Sequence, residues 1–177
     1  APNKFNQFSF AYGDFHQQAA QNILKFSPEL DWTAAKHYIF NYFFEKNGKT
    51  LRLETYNKTY SNLIKYNTAT PTYNSQYLSN GNGKVNGVDL FFRDNSSVKN
   101  LQYWVSYAYT DSKRNEANYS SSVTPSYVFK HSFSLVGKYW FSSIRSQLSI
   151  TNTYLSGRSY NDPNTNEFMS GKTKGYN

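Results

Sequence analysis

The chain has 177 residues with a formal net charge of +8, and aromatic residues make up 19% of it, including 17 tyrosines. The absence of cysteine excludes a disulfide framework. No run of about 18 apolar residues occurs, which excludes a transmembrane helix. The mean hydropathy of −0.76 still permits a β-barrel, because a polar lumen face offsets a lipid face in the average.

Alternation of apolar and polar residues predicts seven strands, and the first three lie near residues 5–12, 32–45 and 49–64. A helical turn is predicted within 19–26, in the connection that follows the first strand. Asn47-Gly48 tolerates positive φ at both central positions of a turn, which predicts a tight hairpin between the second and third strands.

The fourth and fifth strands are predicted near residues 84–93 and 98–111. In the fifth, tyrosines and aliphatic residues alternate with small polar residues. Trp104 falls on the polar parity, which the pattern does not explain.

The sixth and seventh strands are predicted as a hairpin within 126–160, joined by Ser142 and Ser143. Apolar residues share one parity in each strand, from Tyr127 in the sixth and from Ile144 in the seventh. The tail at 157–177 is polar, and no further strand is predicted there. These runs exceed the usual soluble strand of about 5–6 residues and suit a tilted transmembrane strand of about 9–11 residues with interfacial ends.

Connection lengths alternate strictly along the chain. Short turns are predicted at 46–49, 94–97 and 142–143, and long loops at 13–31, 67–83 and 112–126. Outer-membrane barrels have short periplasmic turns and long extracellular loops. The alternation therefore predicts an antiparallel transmembrane barrel wall in which odd-numbered strands run outward.

Several blocks resemble the barrels of TonB-dependent receptors from Bacteroidetes-type bacteria. The longest are Gly-Val-Asp-Leu-Phe-Phe-Arg-Asp at 87–94 and Tyr-Trp-Val-Ser-Tyr-Ala-Tyr-Thr-Asp-Ser-Lys-Arg at 103–114. Shorter blocks occur in the same order and spacing as in that family, and the resemblance covers most of residues 27–163. They lie at 27–30, 123–126, 131–136 and 156–160.

The resemblance implies a fold and a function. The family's barrel has about 22 strands and a plugged lumen, so residues 1–177 are expected to be an all-β portion of it, with the plug domain and the last strands absent. It also implies import of a scarce nutrient across the outer membrane of a Bacteroidetes-type bacterium, with substrate bound at extracellular loops and plug. The plug carries most of the family's functional residues, so none is transferred to this chain.

The resemblance also implies partners. They are outer-membrane lipid and lipopolysaccharide, the TonB–ExbB–ExbD complex through a missing N-terminal region, and a surface lipoprotein as a further candidate. No nucleic-acid partner is expected, because no Lys/Arg cluster is present.

No catalytic, cofactor-binding or metal site is predicted. A metal site needs several ligands in a fixed geometry, whereas His16, His37 and His131 are far apart in the chain. The loop acids have no base or nucleophile beside them in the sequence and are expected to be solvated; they are Asp14, Glu29 and Asp31.

A substrate-binding site in the extracellular loops is predicted from aromatic and arginine side chains, which stack on sugars or grip anionic ligands. The alternative is that these side chains pack within loops or belong to the interfacial aromatic belt. The candidate residues are Tyr73, Tyr77, Tyr119, Arg158 and Tyr160.

Charged residues on the polar parity are expected to form a hydrated network of ion pairs that keeps the wall rigid. They are Arg52, Glu54, Lys130, Lys138 and Arg145.

Two other functions stay open at this stage. Seven strands and many tyrosines also suit a soluble carbohydrate-binding module with a sandwich fold. An outer-membrane barrel with a structural or secretion-associated role, and no coupling to TonB, is the second. Nothing in the sequence supports an enzyme.

Overall fold

The computed structural model describes residues 5–68 and 75–176 and contains a seven-stranded antiparallel sheet. Each strand pairs with the next strand in the chain, so the order is β1 to β7 without a crossover. The predicted seven-stranded antiparallel sheet is therefore confirmed. Its strands are β1 (Asn6–Gln17), β2 (Thr33–Lys46), β3 (Lys49–Tyr66), β4 (Tyr77–Asp94), β5 (Leu101–Asn115), β6 (His131–Phe141) and β7 (Ser146–Leu155).

Helix is confined to a single short turn in the described part of the chain. This turn, α1 (Gln21–Leu24), lies within the predicted segment 19–26. No helix among residues 5–68 and 75–176 is both long enough and apolar enough to cross a membrane.

The alternation of connections is confirmed. The short connections span 47–48, 95–100 and 142–145, and the long ones span 18–32, 67–76 and 116–130. We call the two ends of the sheet the turn end and the loop end.

Strand β4 begins at Tyr77, seven residues before the predicted start at 84. The sequence Asn80-Gly81-Asn82-Gly83 was interpreted as a loop because Asn and Gly favour turns. At Gly81 a Cβ atom would lie 2.5 Å from the carbonyl oxygens of Leu63 and Asn115, which belong to the two neighbouring strands. Glycine is thus required here by close backbone approach, and the strand continues through it.

The sixth and seventh strands are shorter than predicted. Tyr127 precedes β6, which begins at His131. Ile144 and Arg145 lie in the turn before β7, where Arg145 has a φ of 50°. The prediction of no strand after residue 157 is also wrong, because a short hairpin pairs β8 (Ser159–Tyr160) with β9 (Gly171–Lys172).

One face of the sheet is apolar and exposed. Phe10 and Phe40 are paired across β1 and β2, and Tyr107 and Phe133 across β5 and β6. Phe8, Phe10 and Ile150 expose 65%, 67% and 63% of their surface. An extended apolar face with this much exposure is typical of a surface that meets lipid. We call it the outer face and the opposite face the inner face.

On the inner face, two of the cationic side chains predicted for the ion-pair network lie over aromatic rings. The Arg52 guanidinium lies 5.2 Å from the centre of the Phe91 ring, and Lys138 Nζ lies 5.2 Å from that of Trp104. Trp104 therefore has a partner on the polar face, which accounts for its parity.

The expected network of ion pairs was wrong. The ion pairs among the described residues are His16–Asp14, Lys49–Asp94 and Arg114–Glu116, and none includes a residue predicted for that network. For these long side chains, contact with an aromatic ring takes the place of a hydrated ion pair. Two predicted members lie outside the strands, namely Lys130 and Arg145.

A glycine in β4 lets a side chain of β3 cross to β5. Tyr56, Gly87 and Thr110 stand in one cross-strand row. The Tyr56 hydroxyl and Thr110 Oγ1 are 3.0 Å apart and share a hydrogen bond over the glycine. A Cβ atom at Gly87 would overlap the Tyr56 ring, so the contact depends on glycine at this position.

The turn end is built from local contacts. Asn47 and Gly48 have φ values of 50° and 74°, which confirms the predicted tight hairpin. In the next turn, Asp94 Oδ1 accepts hydrogen bonds of 2.9 Å from the backbone N–H groups of Ser96 and Ser97. Hydrogen bonds from the Ser97 hydroxyl and from these N–H groups hold the pKa of the Asp94 carboxyl well below its usual range.

Buried side chains gather at the loop end. Leu30 and Val123 come from long connections, whereas Leu63 and Tyr77 come from the strand ends beside them. Pro125 is fully buried in the same region. The part of the molecule that resembles the core of a soluble protein is therefore a layer over the loop end. The strands beneath this layer form a wall with one apolar and one polar face.

Candidate ligand-binding rim

The loop-end layer is assembled from segments far apart in the chain. Ala117 extends the sheet beside β3: its N–H donates to the Ile64 carbonyl at 2.8 Å, and its carbonyl accepts from Tyr66 N–H at 3.0 Å. The Asp31 N–H donates to Ser79 Oγ at 3.0 Å. We call the surface formed by 18–32, 116–130 and 156–176 the rim.

A cluster of three side chains fixes the β5–β6 loop to the wall. Arg114 Nη1 lies 3.1 Å from Glu116 Oε2, and the Tyr127 hydroxyl donates to Glu116 Oε1 at 3.2 Å. The Arg114 guanidinium also lies 4.4 Å from the centre of the Tyr60 ring. Burial, reinforced by the nearby Glu116 carboxylate, raises the pKa of Tyr127 to about 12. We call Arg114, Glu116 and Tyr127 the latch.

The segment after β7 folds back onto this loop. The Thr173 N–H donates to the Arg158 carbonyl at 2.9 Å, and the Arg158 N–H donates to Thr173 Oγ1 at the same distance. Phe168 packs against Tyr119 with ring centres 5.4 Å apart. The β8–β9 hairpin is thereby held over the loop end of β5 and β6.

A cavity of about 590 Å³ lies between this hairpin and the ends of β5 and β6. Three lysines and two acids line it, together with hydroxyl groups, so its lining carries a small excess of positive charge. The charged residues are Lys113, Lys130, Lys172, Asp111 and Glu167. A cavity of this size and polarity suits a small polar ligand with negative charge.

The structure places the five predicted substrate-binding residues differently. Tyr73 lies outside the described residues. Tyr77 begins β4 and is 5% exposed, with its ring edge towards Tyr66 at 6.4 Å, so its predicted loop position was wrong. Tyr119, Arg158 and Tyr160 lie on the rim, as expected from their positions in the chain.

Two of these rim residues contact protein groups. The Arg158 guanidinium lies 5.1 Å from the centre of the Phe129 ring. Tyr160 is 41% exposed, and its ring covers Gly171, where a Cβ atom would lie 2.5 Å from the ring. Their role in substrate binding stays a prediction.

The charged residues of the cavity were missed as ligand-binding candidates. Lys113 lies within the alternating pattern of β5, which gives no sign of ligand binding. Lys130 was assigned to a strand. Lys172 comes from the tail that was predicted to have no strand. The three lysines come together only through pairing between distant segments. The alternation of apolar and polar residues along the chain does not predict such pairing.

The histidines lie in separate surroundings. His131 Nδ1 is 2.9 Å from the Tyr107 hydroxyl on the outer face, whereas the His37 ring lies between Phe15 and Tyr60. Across residues 5–68 and 75–176, no three histidine, aspartate or glutamate side chains converge as a metal site would require. Asp14, predicted in a loop, is part of β1.

The fold is similar to that of solved outer-membrane receptors. It superposes on the FrpB iron transporter of Neisseria meningitidis with a TM-score of 0.75 and 11% identity, and on the ferric-catecholate import receptor Fiu of E. coli with a TM-score of 0.70 and 13% identity. In each case 99% of this chain is covered, but only 29% and 26% of the other chain. The chain therefore corresponds to part of a larger barrel.

Sequence comparison gives the family. No curated protein sequence matches the chain significantly. The family model of the TonB-dependent receptor-like β-barrel matches residues 1–177. Together with the two-faced antiparallel sheet, this match establishes that the chain belongs to the TonB-dependent receptor-like β-barrel family.

Proposed function

We propose that this chain is part of the wall of an outer-membrane receptor that imports a scarce nutrient by TonB-driven uptake. The family match over residues 1–177 carries the proposal. The sheet supports it, because the exposed apolar outer face and the polar inner face suit a wall between lipid and a water-filled lumen. Members of this family are receptors and transporters rather than enzymes.

We further propose that the cavity in the rim contributes to capture of an anionic nutrient. Support comes from its three lysines, and Arg158 and Tyr160 flank the lining residue Ser159 in the chain. The two solved neighbours are an iron transporter and a ferric-catecholate import receptor by name. A ferric chelate with negative charge is therefore the first ligand to test.

The partners follow from the same proposal. Coupling to the TonB–ExbB–ExbD complex would occur through the plug-bearing part of the full-length protein. A surface lipoprotein remains a candidate partner, and the Bacteroidetes-type source remains a prediction from the motifs at 87–94 and 103–114.

Membrane fractionation of the full-length protein that carries this chain is the first experiment. We expect a band in detergent-extracted outer membrane whose apparent mass on a gel changes with boiling. Nutrient uptake should stop when TonB is deleted. A buffer-soluble protein would contradict the outer-membrane location, and uptake that is independent of TonB would contradict coupled transport.

Two variants test the cavity. Lys130→Gln combined with Lys172→Gln should weaken binding of an anionic ferric chelate by about tenfold, since each partly screened charge contributes about 0.5–1 kcal/mol. Lys25→Gln combined with Lys99→Gln is the matched control, because it removes the same charge at positions outside the cavity lining. Equal losses in both double variants would contradict a specific site.

The alternative functions predict other results. The soluble sandwich module has less support, because the described strands form one open seven-stranded sheet and one short hairpin rather than two packed sheets. A barrel with a structural or secretion-associated role would fractionate with the outer membrane and yet show no TonB-dependent uptake.

A further inference from the structure

We propose that a cavity on the inner face at the turn end binds an N-acetylated sugar that carries a carboxylate, which is the repeating chemistry of a bacterial cell-wall glycan. We call this cavity the turn-end pocket. The inference rests on the proposed outer-membrane location, which places the turn end on the periplasmic side. The partner is separate from the nutrient, because the turn-end pocket and the cavity in the rim have different lining residues.

The turn-end pocket has a volume of about 250 Å³ and a mostly polar lining. Its lining residues supply four carboxamides, one ammonium group and one indole ring. They come from β5, β6, β7 and the connection 95–100. Among the described residues that line the pocket, Lys138 alone is charged. The residues that supply these groups are Asn95, Asn100, Gln102, Lys138, Trp140 and Gln147.

The strand register places these side chains on the inner face. Gln102 pairs with Lys138 across β5 and β6. Trp140 pairs with Gln147 across β6 and β7. Gln102 has the same parity as Trp104, whose ring lies under Lys138 Nζ. Because residues two apart in a strand project from the same face, the polar groups converge at the turn end of the inner face.

Hydrogen bonds between two turns fix the walls of the pocket. The Trp140 N–H donates to the Asn100 carbonyl at 2.9 Å, and Asn100 Nδ2 donates to Ser142 Oγ at 3.3 Å. Asn100 has a φ of 64°, in the left-handed region that asparagine tolerates better than most residues. The β4–β5 turn is thereby joined to the β6–β7 turn, so the pocket is formed before a ligand binds and less ordering is required on binding.

Local hydrogen bonds also orient three of the carboxamides. Arg93 Nε donates to Asn95 Oδ1 at 2.9 Å, which leaves the Asn95 amide nitrogen to donate to a ligand. Gln147 Nε2 donates to Ser149 Oγ at 3.1 Å, which leaves the Gln147 carbonyl oxygen to accept. The Asn100 carbonyl oxygen is left in the same way. The pocket therefore offers both donors and acceptors.

A carboxylated N-acetylated sugar matches each of these groups. Hydroxyl and acetamido groups both donate and accept hydrogen bonds, as the carboxamides do. The Trp140 side chain is 44% exposed, and its ring offers an apolar face to the C–H groups of a sugar ring. A carboxylate on the sugar would pair with Lys138, which takes part in no ion pair among the described residues.

Other ligands match fewer of the groups. A metal ion would lack its usual ligands, since the described lining contains no carboxylate and no imidazole. A phosphate would meet a single cation and would leave the indole ring unused. A neutral sugar would leave Lys138 without an anionic partner.

The test uses the full-length protein in detergent and the soluble disaccharide of N-acetylglucosamine and N-acetylmuramic acid, with affinity measured by calorimetry. Trp140→Ala should weaken binding about tenfold, because it removes the stacking face. Trp140→Phe keeps a ring and should bind within about threefold of the wild type. Trp32→Ala is the matched control, since Trp32 is also exposed but lies at the loop end, and it should bind as the wild type does.

Lys138→Gln tests the carboxylate. The wild type should bind the methyl ester of the disaccharide, and the neutral dimer of N-acetylglucosamine, about fivefold more weakly than the free acid. Lys138→Gln should bind all three ligands equally. Binding of the neutral dimer as tight as that of the free acid would point to a general sugar site and would contradict a cell-wall glycan.

Three results would overturn the inference: no binding of the disaccharide to the wild type, equal affinity of the wild type for the acid and its ester, or equal losses in Trp140→Ala and Trp32→Ala. Heat-modifiable migration checks that each variant is folded, and Lys138→Gln replaces Trp140→Ala if that variant does not fold. Fractionation separates the two proposals, since a protein found in the outer membrane that does not bind the disaccharide contradicts the turn-end pocket only.

Discussion

The two ends of the sheet are stabilised in different ways. At the turn end, contacts join residues close in sequence, such as Asp94 with Ser96 and Ser97. At the loop end, contacts join distant segments, such as Ala117 with Ile64. Local sequence therefore specifies the turn end, whereas the loop end forms only once several strands are already paired.

The largest expected effect comes from the loop end. Gly81→Ala puts a Cβ atom 2.5 Å from two backbone carbonyl oxygens, neither of which can move without separating strands. We expect a loss of about 3 kcal/mol in the free energy of unfolding. Urea titration of the full-length protein, followed by heat-modifiable migration, measures it.

Gly137→Ala is the matched control, because a Cβ atom at Gly137 has no other atom within 4 Å. It should change the free energy of unfolding by less than about 0.5 kcal/mol. If both alanine variants lose stability equally, close backbone approach is not the reason for glycine at position 81.

The second prediction concerns the β5–β6 loop, where we expect a local loss of stability of intermediate size. Arg114→Ala removes the partner of Glu116 and should loosen the β5–β6 loop by about 1–2 kcal/mol without unfolding the wall. Hydrogen exchange of amides in 116–130 should then be about tenfold faster. Arg93→Ala at the turn end, which removes an exposed hydrogen bond to Asn95, should leave that exchange unchanged.

The smallest effect concerns the turn end and its pH dependence. Asp94 has a pKa below its ordinary value of about 3.9. The stability that the ionised Asp94 carboxylate adds to the folded state is therefore fully present above its ordinary pKa. This stability is lost as the pH falls through the pKa of the folded state. Asp94→Asn should lower the urea midpoint at pH 7 and should flatten the loss of stability of the wild type below about pH 4. Parallel acid-dependence curves for both proteins would contradict this role.

The contrast between the ends also explains what the sequence could predict. The strand pattern, the alternation of connections and the Asn47-Gly48 turn depend on side-chain parity and local φ preferences, and these were confirmed. The extension of β4 through Gly81 was missed, because close approach of a third strand overrides the turn propensity of Asn and Gly.

The rim was less predictable for the same reason. Arg158 and Tyr160 were placed on it from loop position alone, whereas Tyr77 proved to be a buried strand residue. The β8–β9 hairpin, which brings Lys172 to the cavity, depends on pairing across the ten residues 161–170. A periodic pattern carries no information on such pairing.

The contact of Tyr56 with Thr110 over Gly87 has a consequence for assembly of the wall. If β4 slipped by two residues against β3, side-chain parity would be kept, but Val85 or Asp89 would replace the glycine beneath the Tyr56 ring. Neither side chain leaves room for the ring to reach β5. The bridge therefore acts as a check on strand alignment: it closes only when three strands are in their native register, and it penalises misaligned sheets whose apolar and polar faces are otherwise correct.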